Sequence, residues 1–358
     1  MSQPRVLIVG SGLIGTSVGM ALQAAGWPVA MTDRDPAAVD LAVRRHAGTP
    51  WQDGDPAPDL VVVAVPPSHV VEVSASALHR WPQATVTDVA SVKAPVVLGL
   101  DERAGVMMAR FVGGHPMAGR EVTGPGAAMV ELFRDRPWVV TPTHATDPQR
   151  VDAVLALIAA VGAIPIELSA QEHDRAVALT SHAPQVMASL LAGRLNLAES
   201  DQVVVSGQGL RDTIRIAGSD PDLWAEILTA NSGPVVAELQ CLAKDLQRLV
   251  ADLQAGGARS REAVYTIISE GRRGAARLPG KHGSPGTRYR TVKVAVPDEP
   301  GALAALFAVA AQAQVNLEDV RIEHALGRPT GLVELSVAPD QSEGLVRTLQ
   351  AAGWSLRA

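Results

Sequence analysis

From Val6 to about Pro165 the chain alternates between short β-branched runs and helical stretches. The runs Val6–Val9, Val29–Thr32, Leu60–Val65, Thr85–Thr87, Phe111–Val112 and Trp138–Thr141 are largely apolar throughout. That pattern belongs to strands covered on both faces. Leu13–Ala25 and Pro36–Arg45 carry apolar residues at helical spacing between them. Strand–helix repetition predicts an α/β domain over residues 1–168, a doubly wound parallel sheet with helices on both sides. From residue 169 to 271 the β-rich runs give way to long helical patterns, Gln171–Leu195, Asp222–Leu253 and Arg261–Glu270, and an all-helical domain is expected. Residues 272–289 are rich in Gly, Pro and basic side chains and read as a linker. Residues 290–358 then run strand, helix, strand, strand, helix, strand, the ferredoxin-like βαββαβ order.

Composition narrows the function classes. Aromatics are 3% of the chain, too few for base-stacking platforms, and the net charge of −6 opposes a general nucleic-acid binder. The basic stretch near Arg272 is short and lacks aromatics, so a linker is favoured over a nucleic-acid tail. The single cysteine, Cys241, excludes an internal disulfide and is expected to be a small packing residue in a helix. The start of the chain has no leader pattern and no apolar run is long enough to span a bilayer, so no membrane partner and a cytoplasmic location are expected.

Four segments carry candidate chemistry. Gly10-Ser11-Gly12-Leu13-Ile14-Gly15 follows a strand and opens a helix. Gly10 permits the turn, Gly12 lets a pyrophosphate approach, and Gly15 lets helix and strand pack, as in a Rossmann-type nucleotide site. The helix start adds free N–H groups and a partial positive charge. Asp33 closes the next strand, where a carboxylate accepts ribose hydroxyls and repels a 2′-phosphate. NAD is therefore the expected cofactor, and Arg34 keeps NADP open. Pro66 and Pro67 end a strand, either lining the nucleotide pocket or simply stopping the strand. Ser91, in Asp88-Val89-Ala90-Ser91-Val92-Lys93, is either a crevice residue or the N-cap of the following helix. His115, in Gly113-Gly114-His115-Pro116-Met117-Ala118-Gly119, follows a strand in an expected glycine-rich turn and suits a base for a hydroxyl proton. Further on, Arg215 suits a carboxylate, with a solvated helix face shared with Arg211 as the alternative; His182 suits either a pocket or helix packing. No metal-ligand cluster is visible, and no metal is expected.

Together these motifs resemble the prephenate/arogenate dehydrogenase family over Val6 to Glu270. The resemblance rests on Gly10–Ser17, Asp88–Lys93, Gly114–Gly119, Ser181-His182-Ala183-Pro184-Gln185, and Arg215-Ile216-Ala217-Gly218-Ser219-Asp220-Pro221 with Trp224. Residues 291–357 are similar to an ACT domain, with Asp298-Glu299-Pro300-Gly301-Ala302-Leu303 as its ligand loop and Asn316 after the first helix.

The resemblance implies an NAD-dependent oxidative decarboxylation of prephenate in tyrosine biosynthesis, with the helical domain serving substrate binding and dimerisation. It implies that His115 accepts the C4 hydroxyl proton, that Ser91 orients it, and that Arg215 holds a carboxylate with Ser181, His182 and Gln185 around the substrate. Pro66 and the Gly10–Gly15 loop contact the cofactor. Asp298, Pro300, Gly301 and Asn316 would bind an amino-acid effector, with tyrosine expected, and the chain would act as a homodimer. Two departures stand out: Gln185 occupies a position where many members have histidine, and Arg120 precedes Glu121 where a small residue is common. Arogenate dehydrogenation, a hydroxyacid or imine reductase, and a non-catalytic NAD and amino-acid sensor are the alternatives.

Overall fold

The computed structural model describes residues 3–119, 122–278, 289–324 and 330–357. Met1–Lys244 and Asp245–Ala358 form two compact units. In the first, β1 (Val6–Val9), β2 (Val29–Thr32), β3 (Thr49–Pro50), β4 (Leu60–Val63), β5 (Thr85–Asp88), β6 (Phe111–Pro116), β7 (Pro137–Thr141) and β8 (Ile164–Glu167) build one sheet. Its order is β3-β2-β1-β4-β5-β6-β7-β8. Helices α1 (Leu13–Ala24), α2 (Pro36–Arg44), α3 (Val70–Arg80), α4 (Ala94–Ala104) and α5 (Pro148–Ala160) cover both faces.

Strand alternation divides the core. Val6 and Ile8 of β1 pack with Leu22, Met31, Trp138 and Leu157 on one face. Leu7 packs with Val61, Val63, Leu78, Leu100 and Phe111 on the other. Each such side chain contributes about 1.5–3 kcal/mol through burial. Two-sided burial explains why these strands lack a polar period.

The sheet is mixed, which corrects the expectation of a parallel one. β6 and β7 pair antiparallel, with Gly114 opposite Val140 and His115 opposite Val139. Among the described residues, no helix of α type lies between them to carry the chain back for a parallel return. A second correction concerns Gly113 and Gly114, read as a turn. They lie inside β6, so His115 is a strand residue. A side chain on Gly113 would meet Thr141 Oγ1 at 2.3 Å, and one on Gly114 would meet the Asp88 carbonyl oxygen at 2.7 Å. These glycines serve close packing, not reversal.

The helical region holds α6 (Ala170–Val177), a π-turn over Ala178–His182, α7 (Ala183–Arg194), α8 (Ser200–Val204), α9 (Gln208–Ile214), α10 (Pro221–Ala230) and α11 (Ser232–Ala255). Two long helices expected from the sequence are interrupted. The π-turn falls just before Pro184, which has no N–H to continue an α ladder. A break at Asn231 divides Asp222–Leu253. Residues 272–275, expected to be linker, are the last turn of α12 (Gly257–Ala275). Arg272 and Arg273 sit there as a helix C-terminus favours, and Arg273 pairs with Glu270 at 3.7 Å. The remainder of the expected linker from residue 279 to 288, and Arg120 and Glu121, lie outside the described residues. Cys241 is exposed on α11, not packed inside as expected. It shares that exposure with Leu242, Leu246, Val250 and Leu253, at 40–56%. No helix among the described residues is long and apolar enough to cross a membrane.

Downstream come β9 (Arg290–Pro297), α13 (Ala302–Gln312), β10 (Asp319–His324), β11 (Thr330–Val337), α14 (Ser342–Ala351) and β12 (Ser355–Arg357). Their antiparallel sheet has the order β10-β11-β9-β12. Val292, Val294 and Val296 alternate into a separate core with Leu306, Val333, Leu335, Leu345 and Leu349.

Candidate active site

The C-terminal ends of β1, β2, β4 and β5 define a crevice edge, where ligands bind in open α/β sheets. Gly10 leaves β1 with φ +110°, and a side chain there would sit 2.3 Å from the Ala64 carbonyl oxygen. A side chain on Gly15 would sit 2.0 Å from the Gly10 carbonyl oxygen, so α1 lies flush against the loop. Gly12 is different: a side chain there would meet nothing within 4 Å. It is the N-cap of α1 and provides no side-chain cap, so the first-turn N–H groups have no side-chain acceptor there. Leu13 and Ile14 are partly exposed beside it.

Asp33 follows β2. Its carboxylate accepts from Ser11 N at 2.5 Å and from Asp35 N at 3.0 Å, which fixes it against the glycine loop. Ser11 Oγ is buried and has no hydrogen-bond partner among the described residues. An orphaned hydroxyl, uncapped N–H groups and an anchored carboxylate fit a dinucleotide. Pro66 is exposed at the end of the β4 segment and caps a short 3-10 turn, Pro67–His69.

Beside that loop lies a buried polar network. Lys93 is fully buried, and its ammonium binds the Asp88 carboxylate and donates to the Gly114 carbonyl at 2.7 Å. Asp88 also accepts from Gly114 N and Ala90 N, each at 3.1 Å. The peptide just before His115 is thus held from both sides. Burial pulls the Lys93 pKa down, while Asp88 opposes that shift by charge and hydrogen bond.

His115 is partly buried at the end of β6. Its Nδ1 lies 2.8 Å from His173 Nε2, with the rings edge-on at 75°. His173 Nδ1 in turn lies 2.7 Å from Asp174 Oδ1. Asp174 also accepts from the backbone N–H groups of Lys93 and Ala94, both at 2.8 Å. It thereby caps α4 from another helix, and Ser91 is not the N-cap; that position belongs to Lys93. Burial works against the Asp174 carboxylate, but the hydrogen bonds from His173, Lys93 and Ala94 outweigh it and hold the pKa below the usual range. Burial, then the nearby charges of His173, Lys93 and His182, push His115 well below the ordinary imidazole value. A group so shifted is neutral at physiological pH and able to accept a proton.

His182 is buried in the π-turn. Its Nδ1 receives Asn231 Nδ2 at 3.0 Å, and its ring meets Trp224 edge-on at 5.9 Å. Asn231 also donates to the Asp174 carbonyl at 2.8 Å, joining His182 to the network. Burial lowers the His182 pKa to about 4. Gln185 is buried; its amide donates to the Ile216 carbonyl at 3.0 Å. That bond tethers the 3-10 turn Arg215–Gly218, on which Arg215 is exposed. Ser181 is partly exposed in the π-turn. The helical segment and β6 thus converge around His115 through side chains unrecognised in the sequence, namely Lys93, His173, Asp174 and Asn231. One signal was present: His173 shares the buried stripe of α6 with Ala170 and Val177, at i+3 and i+7 spacing.

In the C-terminal sheet domain, Gly301 caps α13 with φ +89°, and Asp298 and Pro300 are exposed before it. Asn316 donates to Glu318 at 2.6 Å. Among the described residues no group of three or more metal-ligating side chains clusters.

Two family models match, "Prephenate dehydrogenase, nucleotide-binding domain" over residues 18–167 and "Prephenate dehydrogenase, dimerization domain" over residues 169–263. The chain is 38% identical to the probable prephenate dehydrogenase NovF of Streptomyces niveus, across 97% of this chain and 98% of that protein. Among solved structures, it is similar to prephenate dehydrogenase from Aquifex aeolicus in complex with hydroxyphenyl propionate and NAD+, at TM-score 0.68 and 28% identity. That match covers 76% of this chain and 99% of the other. Synechocystis arogenate dehydrogenase gives TM-score 0.64 and 25% identity, over 76% and 99% of the two chains.

Proposed function

The chain belongs to the prephenate dehydrogenase family, and on that premise we propose that it is an NAD-dependent prephenate dehydrogenase with His115 as its base. The observation that carries this reading is a partly buried, neutral histidine at the end of β6, in the same sheet as a glycine loop shaped for a dinucleotide.

The loop Gly10–Gly15 holds the pyrophosphate, Asp33 the ribose hydroxyls, and Pro66 borders the pocket. A bound nicotinamide would supply the acceptor for the hydride that leaves C4 of the substrate. His115 Nε2 removes the C4 hydroxyl proton as a carbonyl forms there. The ring carboxylate leaves as carbon dioxide, its bonding electrons complete the aromatic ring, and the oxygen takes a proton back to become the phenol of 4-hydroxyphenylpyruvate. Ser91 orients the hydroxyl, and the Arg215 guanidinium binds a carboxylate from its exposed turn. The Gln185 amide also holds the Arg215 turn, through the Ile216 carbonyl. The Ser181–Gln185 segment carries no carboxylate to pair with an ammonium, which favours prephenate over arogenate. Residues 290–358 act as an ACT domain that binds tyrosine near Asp298, Pro300, Gly301 and Asn316, and the exposed apolar stripe of α11 serves a homodimer in the cytoplasm.

Steady-state rates with prephenate and arogenate, each with NAD and NADP, test this reading. The expected result is highest kcat/KM with prephenate and NAD. A higher value with arogenate reassigns the substrate, and absence of turnover with either refutes the activity. His115→Asn should lower kcat by about 10²–10⁴ while NAD affinity stays nearly unchanged.

A further inference from the structure

Three side chains in line, Asp174, His173 and His115, determine where the proton on His115 resides. A carboxylate only accepts, so His173 Nδ1 carries a hydrogen directed at Asp174 Oδ1, 2.7 Å away. With that single ring proton, His173 presents a bare Nε2. That atom lies 2.8 Å from His115 Nδ1, so His115 must donate from Nδ1. Its own Nε2 is left with a free lone pair. The alternative tautomer would bring two bare nitrogens together at the same distance, inside a site that excludes water from His173.

The anchor of this line is rigid. Asp174 is fixed by Lys93 N and Ala94 N at the start of α4, and its backbone carbonyl by Asn231. His173 is fully buried. We infer that the His173–Asp174 pair is a tautomer lock: it keeps the proton of His115 on Nδ1 and so presents Nε2 as the base. The inference rests on the proposed role of His115. His173 and Asp174 are positioning residues that act through that ring. As proton transfer proceeds, Nε2 of His115 gains the hydroxyl proton while Nδ1 keeps its own. The resulting imidazolium faces His173 Nε2, which Asp174 polarises. No proton needs to move along the chain.

Nitrogen NMR of the full-length protein, labelled in histidine, reads the tautomer directly, with His115→Asn used to assign the signal. The wild type should show Nδ1 protonated and Nε2 bare at His115. His173→Leu should shift the ring toward the Nε2–H tautomer and lower kcat about 10²-fold, within the range for loss of a positioned base. KM should change by less than about threefold, as expected for an interaction that matters mainly in the transition state. His173→Gln offers a carbonyl oxygen to His115 Nδ1 and should restore most of the rate; if His173→Leu does not fold, this variant and the wild-type spectrum still decide. A wild-type ring protonated on Nε2 overturns the inference. So does a His173 variant that loses kcat with the Nδ1–H tautomer intact, which would mark His173 as merely structural. If His115→Asn itself keeps its turnover, the base assignment fails instead, and the two failures are distinguishable.

Discussion

Lys93→Met tests whether the buried ion pair sets the position of the candidate base. The substitution keeps the aliphatic length and removes only the ammonium. Asp88 is then left as a buried carboxylate with two backbone donors and no counter-charge, and the Gly114 carbonyl loses its 2.7 Å partner. Breaking one side of a buried pair typically costs about 3–5 kcal/mol. A unit the size of Met1–Lys244 changes its melting temperature by about 2–4 °C per kcal/mol, so a loss of roughly 6–20 °C is expected. Most of that cost is the stranded charge. Asp88→Asn in the same chain removes it while keeping an acceptor for Gly114 N, so the double variant should recover a large part of the loss. Denaturant unfolding of the wild type, both single variants and the double variant yields the coupling. A coupling of at least about 1 kcal/mol is expected for groups in direct contact. Because Gly114 immediately precedes His115, kcat should also fall in Lys93→Met even where the protein is folded. Additive single-variant costs, or a Lys93→Met variant with unchanged melting temperature and kcat, would refute the reasoning.

Asp33→Ser should narrow the preference for NAD over NADP, because it removes both ribose hydrogen bonds and charge repulsion; a wild type that prefers NADP would show Arg34 dominating. Arg215→Ala should weaken transition-state binding by about 2–5 kcal/mol, read as kcat/KM for prephenate. An unchanged value would return Arg215 to a solvated surface role. His182 has a folded pKa of about 4 against an unfolded value near 6.5, so the unfolded chain binds the extra proton first. Its contribution to stability is therefore present above pH 6.5 and lost as pH falls toward 4, by up to about 3 kcal/mol at 1.36 kcal/mol per pKa unit. His182→Asn keeps an acceptor for Asn231 and should flatten that slope; equal slopes in both proteins would contradict it. Deletion of residues 290–358 should abolish inhibition by tyrosine, and inhibition that survives the deletion would place tyrosine at the active site.

What the sequence made legible was whatever depends on local pattern. A strand buried on both faces is a continuous apolar run, so β1, β2 and β7 stand out within a residue or so. Gly10 and Gly15 are legible because their requirement, a turn and a close helix, lies within six residues. His115 was legible as a residue type but not as a conformation. Gly113 and Gly114 look like a turn in one dimension, and only the approach of Thr141 and Asp88 from neighbouring strands makes them a strand without side chains. Gln185 illustrates the same limit, since its amide partner, the Ile216 carbonyl, lies 31 positions away. The network behind His115 was hidden more completely. Asp174 lies 81 residues from Lys93 and His173 lies 58 residues from His115. Nothing in the spacing of either pair marks it, because tertiary contact alone brings them together. Yet the physical demand was present: a base at the end of a strand requires an acceptor or donor on its far ring nitrogen to choose its tautomer. A histidine on the buried stripe of a helix requires a partner for each nitrogen. Those two requirements, one in the sheet domain and one in the helical region, satisfy each other, and their pairing is what joins β6 to α6.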